Sequence, residues 1–372
     1  MIYTIIFFFF ILSIFSISPN RNSLLKKCQT EFIFAVSLCT ILVISFMAGT
    51  NDSRADFAAY LKFFQNSPYL FSDNFFEFAK SQHTEIGYNY FQALAKTVCN
   101  SATVFFILFC FVSILFRYAF YRNFVSLADI GIAFFIFFSH EFLRKDCVQI
   151  RNGLASAIVL SSLIFLYRGQ RFRFALMVIF ASCFQATALV ALPLLVARTE
   201  NSRKYELFLT LFFVFGIVFT VLFPVKNLLF VFEGMGLLPK TVVNYLYWSE
   251  YSKSMSLMNP MLLKQVCISL WIFCKKKRLF FDNKIFFLSQ IYLVSTVYYL
   301  VFRDFEILAG RFGSLFYAVE APLLLSIIEK SGKNVVVKKL FLLAFYLCFF
   351  FLNVLTYQDT LGYHFSFYWG AK

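Results

Sequence analysis

Long apolar runs recur from one end of the sequence to the other, and they restrict the fold more than any other feature. Most are about 17 to 22 residues long, which lets a helix cross a hydrocarbon core ~30 Å thick. Only 14% of the 372 residues are charged, against roughly 25% in a soluble domain. The sequence therefore predicts an all-α polytopic membrane protein in which residues 1–372 form a single integral membrane domain.

Ten of the runs are predicted to be transmembrane helices. They cover about residues 2–18, 31–48, 101–117, 124–139, 148–167, 207–224, 262–274, 285–302, 311–328 and 340–356. One further run, about residues 172–197, carries polar Ser182, Gln185 and Thr187 in its middle. Irregular backbone at membrane depth is tolerated where protein surrounds it. This run is therefore predicted to be a re-entrant helical hairpin that turns near Gln185.

The charges of the connections predict which side of the membrane each one faces. Lys and Arg concentrate in three short connections, at residues 21–27, 275–278 and 329–339. Cytoplasmic loops carry an excess of such residues, so these connections are predicted to be cytoplasmic. The segment 49–100 mixes acidic and basic residues instead and is predicted to be an external loop with amphipathic helices.

The re-entrant hairpin is needed to make these predictions agree. A full crossing by residues 172–197 would put the basic run 275–278 outside, whereas a hairpin keeps it in the cytoplasm. With the hairpin, both termini are external, and the further external loops are 140–150, 225–261 and 303–310. A full crossing combined with a re-entry at 228–239 is the alternative.

The net charge of +15 does not indicate a nucleic-acid partner. Basic residues lie in short clusters between apolar runs, where they indicate topology and contact with anionic membrane lipids. The nine cysteines are scattered, without a CxxC pair or a Cys/His cluster at ligand spacing. Neither a disulfide framework nor a metal site is therefore predicted.

An arginine stands near the start of the predicted span in QIRNGLASAIVLSSLIFLYRG, residues 149–169. Arg151 lies about one turn inside the external edge, where a charged residue is a candidate functional residue and can bind an anion. If the preceding segment is continuously helical, His140, Arg144 and Arg151 share one face. A snorkelling arginine, with its head group among the lipid head groups, is the alternative interpretation.

A second arginine repeats this pattern in the ninth predicted span. Arg311 opens that span at the same external edge, and Gly310 and Gly313 beside it allow a close approach of a ligand or a helix. Two guanidinium groups on separate helices suit a phosphate or pyrophosphate, which they bind bidentately without a metal. The alternative is an ion pair of Arg311 with a nearby carboxylate, Asp304 or Glu306.

The external loop 49–100 supplies carboxylates and aromatic rings. Asp52, Asp56 and Tyr60 are spaced i, i+4 and i+8, which predicts one face of a short amphipathic helix. Glu85 follows, with aromatic residues close by, in SQHTEIGYNYFQAL. Carboxylates can bind sugar hydroxyls and rings can stack on sugar faces, so the loop is a candidate sugar-binding segment. An interfacial helix with tyrosines at head-group level is the alternative.

Five stretches occur in an order and spacing that resemble a known family. They are NDSRADFAAYLKFF, TEIGYNYFQALAK, QIRNGLASAIVLSSLIFLYRG, RFALMVIFASCFQATALVALPLL and GRFGSLFYAVEAPLLLSI, which together span most of the chain. The pattern is similar to that of the Wzy-type bacterial polysaccharide polymerases, in particular their EpsG-like branch. The matching motif positions are Asp56, Tyr60, Glu85, Gly87, Arg151 and Arg311.

One position departs from that pattern, because Gln185 stands where the family pattern has a histidine. An amide donates and accepts hydrogen bonds but cannot titrate. The resemblance therefore implies a structural or sugar-contacting role for Gln185 and no proton transfer there.

The resemblance implies a metal-independent glycosyltransferase that needs no cofactor. It would act at the periplasmic face of a bacterial inner membrane as a polymerase of lipid-linked repeat units, of the O-antigen polymerase type. The donor glycan would be carried by undecaprenyl pyrophosphate and transferred to the non-reducing end of a second lipid-linked repeat. A chain-length regulator protein is a further implied partner. An O-antigen ligase and a lipid-linked oligosaccharide flippase are the alternatives.

The same resemblance implies roles for particular residues. Arg151 and Arg311 would hold the pyrophosphate, with assistance from Arg144. Glu85 or Asp56 would orient or deprotonate the acceptor hydroxyl. The remaining predicted substrate-binding residues are His140, Tyr60 and Gln185.

Overall fold

The computed structural model describes residues 23–53, 55–82, 84–237, 243, 246–247, 253–332, 334–357 and 364–368. In this part of the chain all regular structure is helical, apart from an isolated bridge between Asn51 and Phe365. The predicted all-α class is confirmed. The α-helices are α1 (Ser23–Thr50), α2 (Phe57–Asn66), α3 (Phe75–Ser81), α4 (Ile86–Cys99), α5 (Ala102–Phe124), α6 (Ile130–Phe137), α7 (Ile150–Tyr167), α8 (Arg171–Ser182), α9 (Arg203–Leu222), α10 (Val225–Gly234), α11 (Pro260–Cys274), α12 (Lys276–Leu279), α13 (Asn283–Val301), α14 (Glu306–Gly313), α15 (Glu320–Lys330) and α16 (Val335–Tyr357). Four other segments are a π-helix, Phe138–Val148, and the 3-10 helices Leu127–Asp129, Ala186–Val196 and Tyr317–Val319.

Five described helices are long and apolar enough to cross a membrane, namely α5, α7, α9, α13 and Val335–Asn353 of α16. The segments Glu306–Gly313 and Tyr317–Lys330 add a sixth if this pair, bent by 45°, counts as one span. These helices support a multi-pass membrane protein. The full count of ten crossings stays a prediction. The predicted span 2–18 lies outside the described residues, and the predicted spans 31–48, 124–139 and 262–274 match apolar helical stretches of 10–17 residues.

Helices α7 and α13 form the centre of the bundle. In the apolar window of each, 78% of the residues are buried, against 28% for α9 and 22% for α16. Helix α7 packs against both α5 and α8. Its small residues, such as Gly153, Ala155 and Ala157, allow neighbouring helices to approach closely. Helix α7, which carries Arg151 in its first turn, is therefore largely surrounded by protein.

The basic connections gather at one end of the bundle. Arg168, after α7, donates to Asn123 Oδ1 near the end of α5 at 2.8 Å. Lys284, at the start of α13, donates to the Phe124 carbonyl oxygen at 3.3 Å. Lys276, in the basic run after α11, pairs with a carboxylate in the first turn of α9 at 3.0 Å. Connections that the sequence predicts to be cytoplasmic thus lie together.

The loop 49–100 lies at the opposite end of the bundle, which we call the site end. The C-terminal segment 364–368 runs beside the start of this loop, where Ser366 N donates to the Thr50 carbonyl oxygen at 2.8 Å. This pairing fits the prediction that the C-terminus and the loop 49–100 face the same side. The loop before α13 lies at the basic end and the loop after α13 lies at the site end, because α13 runs from one end of the bundle to the other. These positions also fit the predicted sides of the two loops.

Amphipathic helices in the loop 49–100 are confirmed, but one residue was placed wrongly on them. Helix α2 buries Phe57, Tyr60 and Phe64 on one face. It begins only at Phe57, so Asp52 does not share its face with Asp56 and Tyr60. The reason is that Asp52 belongs to the segment that pairs with the C-terminal residues, where it binds His364 Nδ1 at 2.9 Å.

Residues 171–196 form a helical hairpin. Helix α8 and the segment Ala186–Val196 pack against each other and are joined by residues 183–185, which is the turn that the sequence predicts. Arg171 and Arg198, at the two ends of the hairpin, both lie near enough to Tyr205 to act on it electrostatically. Both ends therefore point to the basic end of the bundle. That the hairpin re-enters a membrane from one side stays a prediction.

The predicted external loop 140–150 is wrong. Residues 138–148 form a π-helix inside the protein, and Glu141, Lys145 and Asp146 are each at most 3% exposed. These charges can be buried because they have partners. Asp146 pairs with Arg117 at 3.0 Å and Glu141 pairs with Lys145 at 3.5 Å.

The shared face predicted for His140, Arg144 and Arg151 is also wrong, because the segment is not one continuous α-helix. The π-helix ends at Val148, and Gln149 breaks the helix with φ −90° and ψ 59° before α7 begins. The spacing of an α-helix therefore does not apply between residue 144 and residue 151. The side chain of His140 lies outside the described residues.

Candidate active site

A cavity of about 330 Å³ at the site end brings together residues from four separate stretches of the chain. Its described lining residues are Asp56, Ala59, Tyr60, Phe63, Gln149, Arg151, Asn152, Gln185, Ile307 and Arg311. Five of them are site residues predicted from the sequence, namely Asp56, Tyr60, Arg151, Gln185 and Arg311. The structure thus places both predicted arginines in one cavity.

Each lining residue is positioned by the start, end or turn of a helix. Asp56 directly precedes α2, and Tyr60 lies one turn along the same helix. Arg151 is in the first turn of α7, and Arg311 is in the last turn of α14. Gln185 occupies the turn of the hairpin, in extended conformation. Helix ends and the hairpin turn therefore meet at this cavity.

The span that carries Arg311 is broken rather than continuous. Helix α14 ends at Gly313, and the chain bends before α15. A Cβ atom on Gly313 would lie 2.1 Å from the ring of Tyr299. The close approach of a neighbouring helix that the sequence predicts at this glycine is confirmed, and it seats the end of α14 against α13.

Arg151 forms an ion pair with Glu85. Arg151 Nη1 lies 2.6 Å from Glu85 Oε2, and the two side chains are 22% and 20% exposed. The other carboxylate oxygen, Glu85 Oε1, accepts a hydrogen bond from Ala186 N at 3.0 Å. Glu85 therefore joins α7 to the hairpin turn. An arginine that is paired inside the protein and lines a cavity does not fit the snorkelling interpretation.

Gly87 allows the backbone of α4 to contact the hairpin turn. Gly87 N donates to the Cys183 carbonyl oxygen at 2.8 Å. A Cβ atom at this position would lie 2.7 Å from that same oxygen, which is closer than real Cβ atoms come. Any side chain at residue 87 would therefore push the hairpin turn, and Gln185 with it, away from Glu85.

Two tyrosines flank the guanidinium group of Arg151. The buried Tyr60 hydroxyl is hydrogen-bonded to Arg151. The Tyr88 ring centroid lies 5.5 Å from the guanidinium carbon. Burial raises the pKa of Tyr60 above its ordinary value, although the positive charge of Arg151 opposes the shift. Tyr60 is therefore protonated at neutral pH.

Asp56 is the one carboxylic acid among the described residues that line the cavity. It lies at the mouth, where the residue keeps contact with solvent. Desolvation by the surrounding protein raises the pKa of Asp56, while the charges of Arg311 and Arg151 lower it, and the net shift is upward. One carboxyl group and two guanidinium groups make the cavity more suitable for an anionic ligand than for a cation. The carboxyl group can act as a proton acceptor.

Arg144 does not line the cavity. Its guanidinium group packs on Gly310, where a Cβ atom would lie 3.1 Å from Arg144 Nη2. Arg144 thereby contacts the helix that carries Arg311, one residue before it. The predicted assisting role of Arg144 toward the ligand stays a prediction.

A buried ion network below Arg151 was missed by the sequence interpretation. Arg117 donates to the Gly153 carbonyl oxygen at 3.0 Å, to Ser156 Oγ at 3.1 Å and to Asp146 Oδ1 at 3.0 Å. The sequence placed Arg117 at the end of a span, but α5 continues to Phe124. The sequence stays largely apolar beyond Arg117, and this continuation of the helix is the signal that could have shown Arg117 to be buried.

Two further cavities lie at the basic end, with volumes of about 370 and 540 Å³. Four basic side chains line the first, namely Lys275, Arg278, Lys330 and Lys338. The predicted site residues do not line either of them. We therefore place the candidate active site at the cavity of the two arginines, although it is smaller than either of these cavities.

The fold and the cavity define a class of protein, a multi-pass helical membrane protein with an arginine-lined cavity at one end of its bundle. The family model described as "EpsG family" matches residues 34–368, which is most of the chain. The protein belongs to this family, the EpsG-like polysaccharide polymerases, and the resemblance predicted from the sequence is confirmed. Comparisons with curated proteins and with solved structures found no match.

Proposed function

We propose that this protein polymerises lipid-linked polysaccharide repeat units at the periplasmic face of a bacterial inner membrane. Membership of the EpsG family supports a polysaccharide polymerase-like membrane protein with glycosyltransferase-like chemistry in general. The observation that carries the finer proposal is that Arg151 and Arg311 line one cavity with Asp56.

The two arginines would hold the pyrophosphate of the donor, a glycan on undecaprenyl pyrophosphate. One terminal nitrogen of Arg151 binds Glu85, and Arg151 Nε is buried without a partner among the described residues. The guanidinium group therefore keeps donor capacity for an anion. Guanidinium matches phosphate in a bidentate manner, and two such groups can neutralise the charge of the leaving pyrophosphate.

The proposed reaction exchanges one C–O bond for another. The acceptor hydroxyl oxygen attacks the anomeric carbon of the donor, and the bond from that carbon to the pyrophosphate oxygen breaks. The hydroxyl proton passes to Asp56, and undecaprenyl pyrophosphate leaves as an anion that the arginines stabilise. Pyrophosphate is a good leaving group, so the protein mainly positions it and stabilises its charge.

The geometry favours Asp56 over Glu85 as the proton acceptor. Both oxygens of Glu85 already accept hydrogen bonds, from Arg151 and from Ala186 N. Asp56 lines the cavity, and desolvation by the surrounding protein raises its pKa above the ordinary value of an aspartate, which makes it a stronger base. Glu85 would then orient Arg151, and Gln185 would hydrogen-bond to the sugars.

The test replaces Arg151 and Arg311 separately with Ala and measures the length of the surface glycan. We expect single-repeat glycan in both variants, while Arg168→Ala, at the basic end, keeps long chains. Long chains in both cavity variants would refute the proposal. In a deletion strain, polymer retained on undecaprenyl would instead indicate a ligase, and lipid-linked units trapped inside would indicate a flippase.

A further inference from the structure

Three amide side chains line the cavity beside the arginines, namely Gln149, Asn152 and Gln185. Asn152 is the most enclosed of them, with 3% of its surface exposed. Its Nδ2 donates to Gln149 Oε1 at 3.3 Å, which is a long hydrogen bond. Its Oδ1 is buried and has no hydrogen-bond partner among the described residues.

A buried amide oxygen without a partner costs stability, and most buried polar atoms in proteins are hydrogen-bonded. An apolar side chain of similar size would avoid this cost. The unpaired oxygen adjoins Arg151 in sequence and belongs to a residue that lines the same cavity. A ligand held by Arg151 would therefore bring its own donors close to the Asn152 amide.

The chemistry of these amides differs from that of the arginines. Guanidinium groups bind the anionic oxygens of pyrophosphate, whereas an amide oxygen accepts from a neutral donor such as a hydroxyl group. In the proposed substrate the first sugar is attached directly to the pyrophosphate. A hydroxyl group of that sugar is the nearest neutral donor to the charged group.

We propose that Asn152, held by Gln149, is a specificity-determining residue that accepts a hydrogen bond from a hydroxyl group of the sugar attached to the pyrophosphate. This inference rests on the proposed function, because it takes a lipid-linked sugar as the ligand of the cavity. The recognised class is a neutral hydroxylated sugar next to the phosphate. A site that binds a hydroxyl group discriminates strongly against an analogue that lacks it.

The test is Asn152→Leu, which replaces the amide with an apolar side chain of the same branching. If the oxygen binds the sugar, the KM for the lipid-linked repeat unit rises roughly 10- to 100-fold, as for a lost hydrogen bond in a buried site. The thermal stability of the purified protein stays unchanged or increases, since an unpaired polar atom is removed. An unchanged KM would overturn the inference. Asn152→Ser, which adds no bulk, gives the same comparison if the leucine variant does not accumulate.

Undecaprenyl pyrophosphate without a sugar distinguishes recognition of the sugar from recognition of the anion. As a competitive inhibitor it should bind the Asn152→Leu variant as tightly as the unchanged protein, because the arginines remain. A weakened inhibitor would show that Asn152 serves the pyrophosphate instead and would refute a role in sugar recognition.

Gln265 supplies a matched control. It is 1% exposed, its Oε1 is also buried without a partner among the described residues, and it lies on α11 and does not line the cavity. Gln265→Leu should leave the KM unchanged, and an equal rise in both variants would show a general structural effect. Arg151→Ala should weaken inhibition by undecaprenyl pyrophosphate. If inhibition is not weakened, the proposed function is refuted. If inhibition is weakened but Asn152→Leu leaves the KM unchanged, only this inference is overturned.

Discussion

Glu85 Oε2 lies 2.6 Å from Arg151 Nη1, and this contact joins the loop 49–100, at the start of α4, to the first turn of α7, one of the two most buried helices of the bundle. The same carboxylate holds the hairpin turn through Ala186 N. Three parts of the chain that are distant in sequence thus depend on one side chain. Its position explains how a loop outside the bundle can fix the direction of an arginine at the start of a helix.

Replacing Glu85 with Gln should weaken substrate binding more than the chemical step. The amide keeps an acceptor for Ala186 N but loses the negative charge that holds Arg151. A hydrogen bond to a charged group contributes about 1.5–3 kcal/mol, so the KM should rise roughly 10- to 100-fold. Steady-state kinetics with lipid-linked repeat units measures this change.

The ion pair Lys276–Glu206 provides the control for that variant. Its side chains are 30% and 24% exposed, close to the exposure of the Glu85 pair, and it lies at the basic end. Glu206→Gln should therefore leave the KM unchanged. A kcat that falls in Glu85→Gln while the KM stays constant would speak against a positioning role.

Asp56→Asn should strongly slow the chemical step and leave binding largely intact. Loss of a general base lowers kcat about 10²- to 10⁴-fold. Asp73→Asn, an exposed residue of the same loop that does not line the cavity, should keep full activity. Equal kcat values in Asp56→Asn and the unchanged protein would exclude Asp56 as the base.

The pH dependence of kcat should report the ionisation of Asp56. A base acts only when deprotonated, so kcat falls as the pH drops through the pKa of this carboxyl group. Desolvation by the surrounding protein raises that pKa despite the charges of Arg311 and Arg151. The acidic limb should therefore lie at higher pH than for an ordinary aspartate, and the residual activity of Asp56→Asn should lack it.

The sequence alone could predict the helical membrane class and five of the ten described residues that line the cavity. Hydropathy indicates the spans because the bilayer requires long apolar helices. The positive-inside rule predicts which connections between the spans are cytoplasmic. Arg151 and Arg311 were predicted to cooperate because both stand at the same edge of separate spans. Their placement in one cavity depends on how the helices pack together. Neither residue reveals that packing from its sequence position.

The buried charges could not be predicted in the same way. Whether Asp146 is exposed depends on its partner Arg117, which lies on a different helix. Local composition made HEFLRKD typical of an external loop. Only the tertiary structure supplies the counter-charges that permit the burial of this segment. The break at Gln149 likewise determines how α7 is oriented relative to the π-helix before it.

Arg117→Met should destabilise the protein and impair the site. Removing one partner of a buried ion pair costs about 3–5 kcal/mol, because the other charge stays buried. Arg117 also binds the Gly153 carbonyl oxygen in α7, so Arg151 should lose its position and the KM should rise. Thermal unfolding in detergent and steady-state kinetics test both effects.

Lys264 and Glu320 form a second buried pair, 2.8 Å apart, which serves as the control. Lys264→Met should destabilise the protein by a similar amount, since its side chain is 3% exposed and that of its partner 0%. Neither residue lines the cavity, so the KM should stay constant. If the two variants raise the KM equally, the effect of Arg117 comes from general loss of stability.

Gly87→Ala should lower activity through the hairpin turn. The new methyl group would meet the Cys183 carbonyl oxygen at 2.7 Å, and backbone must move to relieve it. Overpacking of this kind costs about 1–3 kcal/mol. Gly234→Ala, where no atom of the described neighbouring residues lies within 4 Å of the added Cβ, should change neither stability nor activity. Equal behaviour of the two variants in unfolding and polymerisation assays would show that the close approach is unimportant.

Cysteine labelling in intact cells should show that residues 200 and 230 face opposite sides of the membrane. The hairpin returns to the basic end, where Arg198 N donates to Gln290 Oε1 at 3.0 Å, whereas Lys226 N contacts Asp304 after α13 has crossed to the site end. In a chain without other cysteines, a cysteine at residue 200 should react only after permeabilisation, like one at residue 277. A cysteine at residue 230 should react from outside, like one at residue 73. Labelling of residue 200 from outside would show that residues 172–197 cross the membrane fully, because the hairpin would then no longer begin and end on the cytoplasmic side.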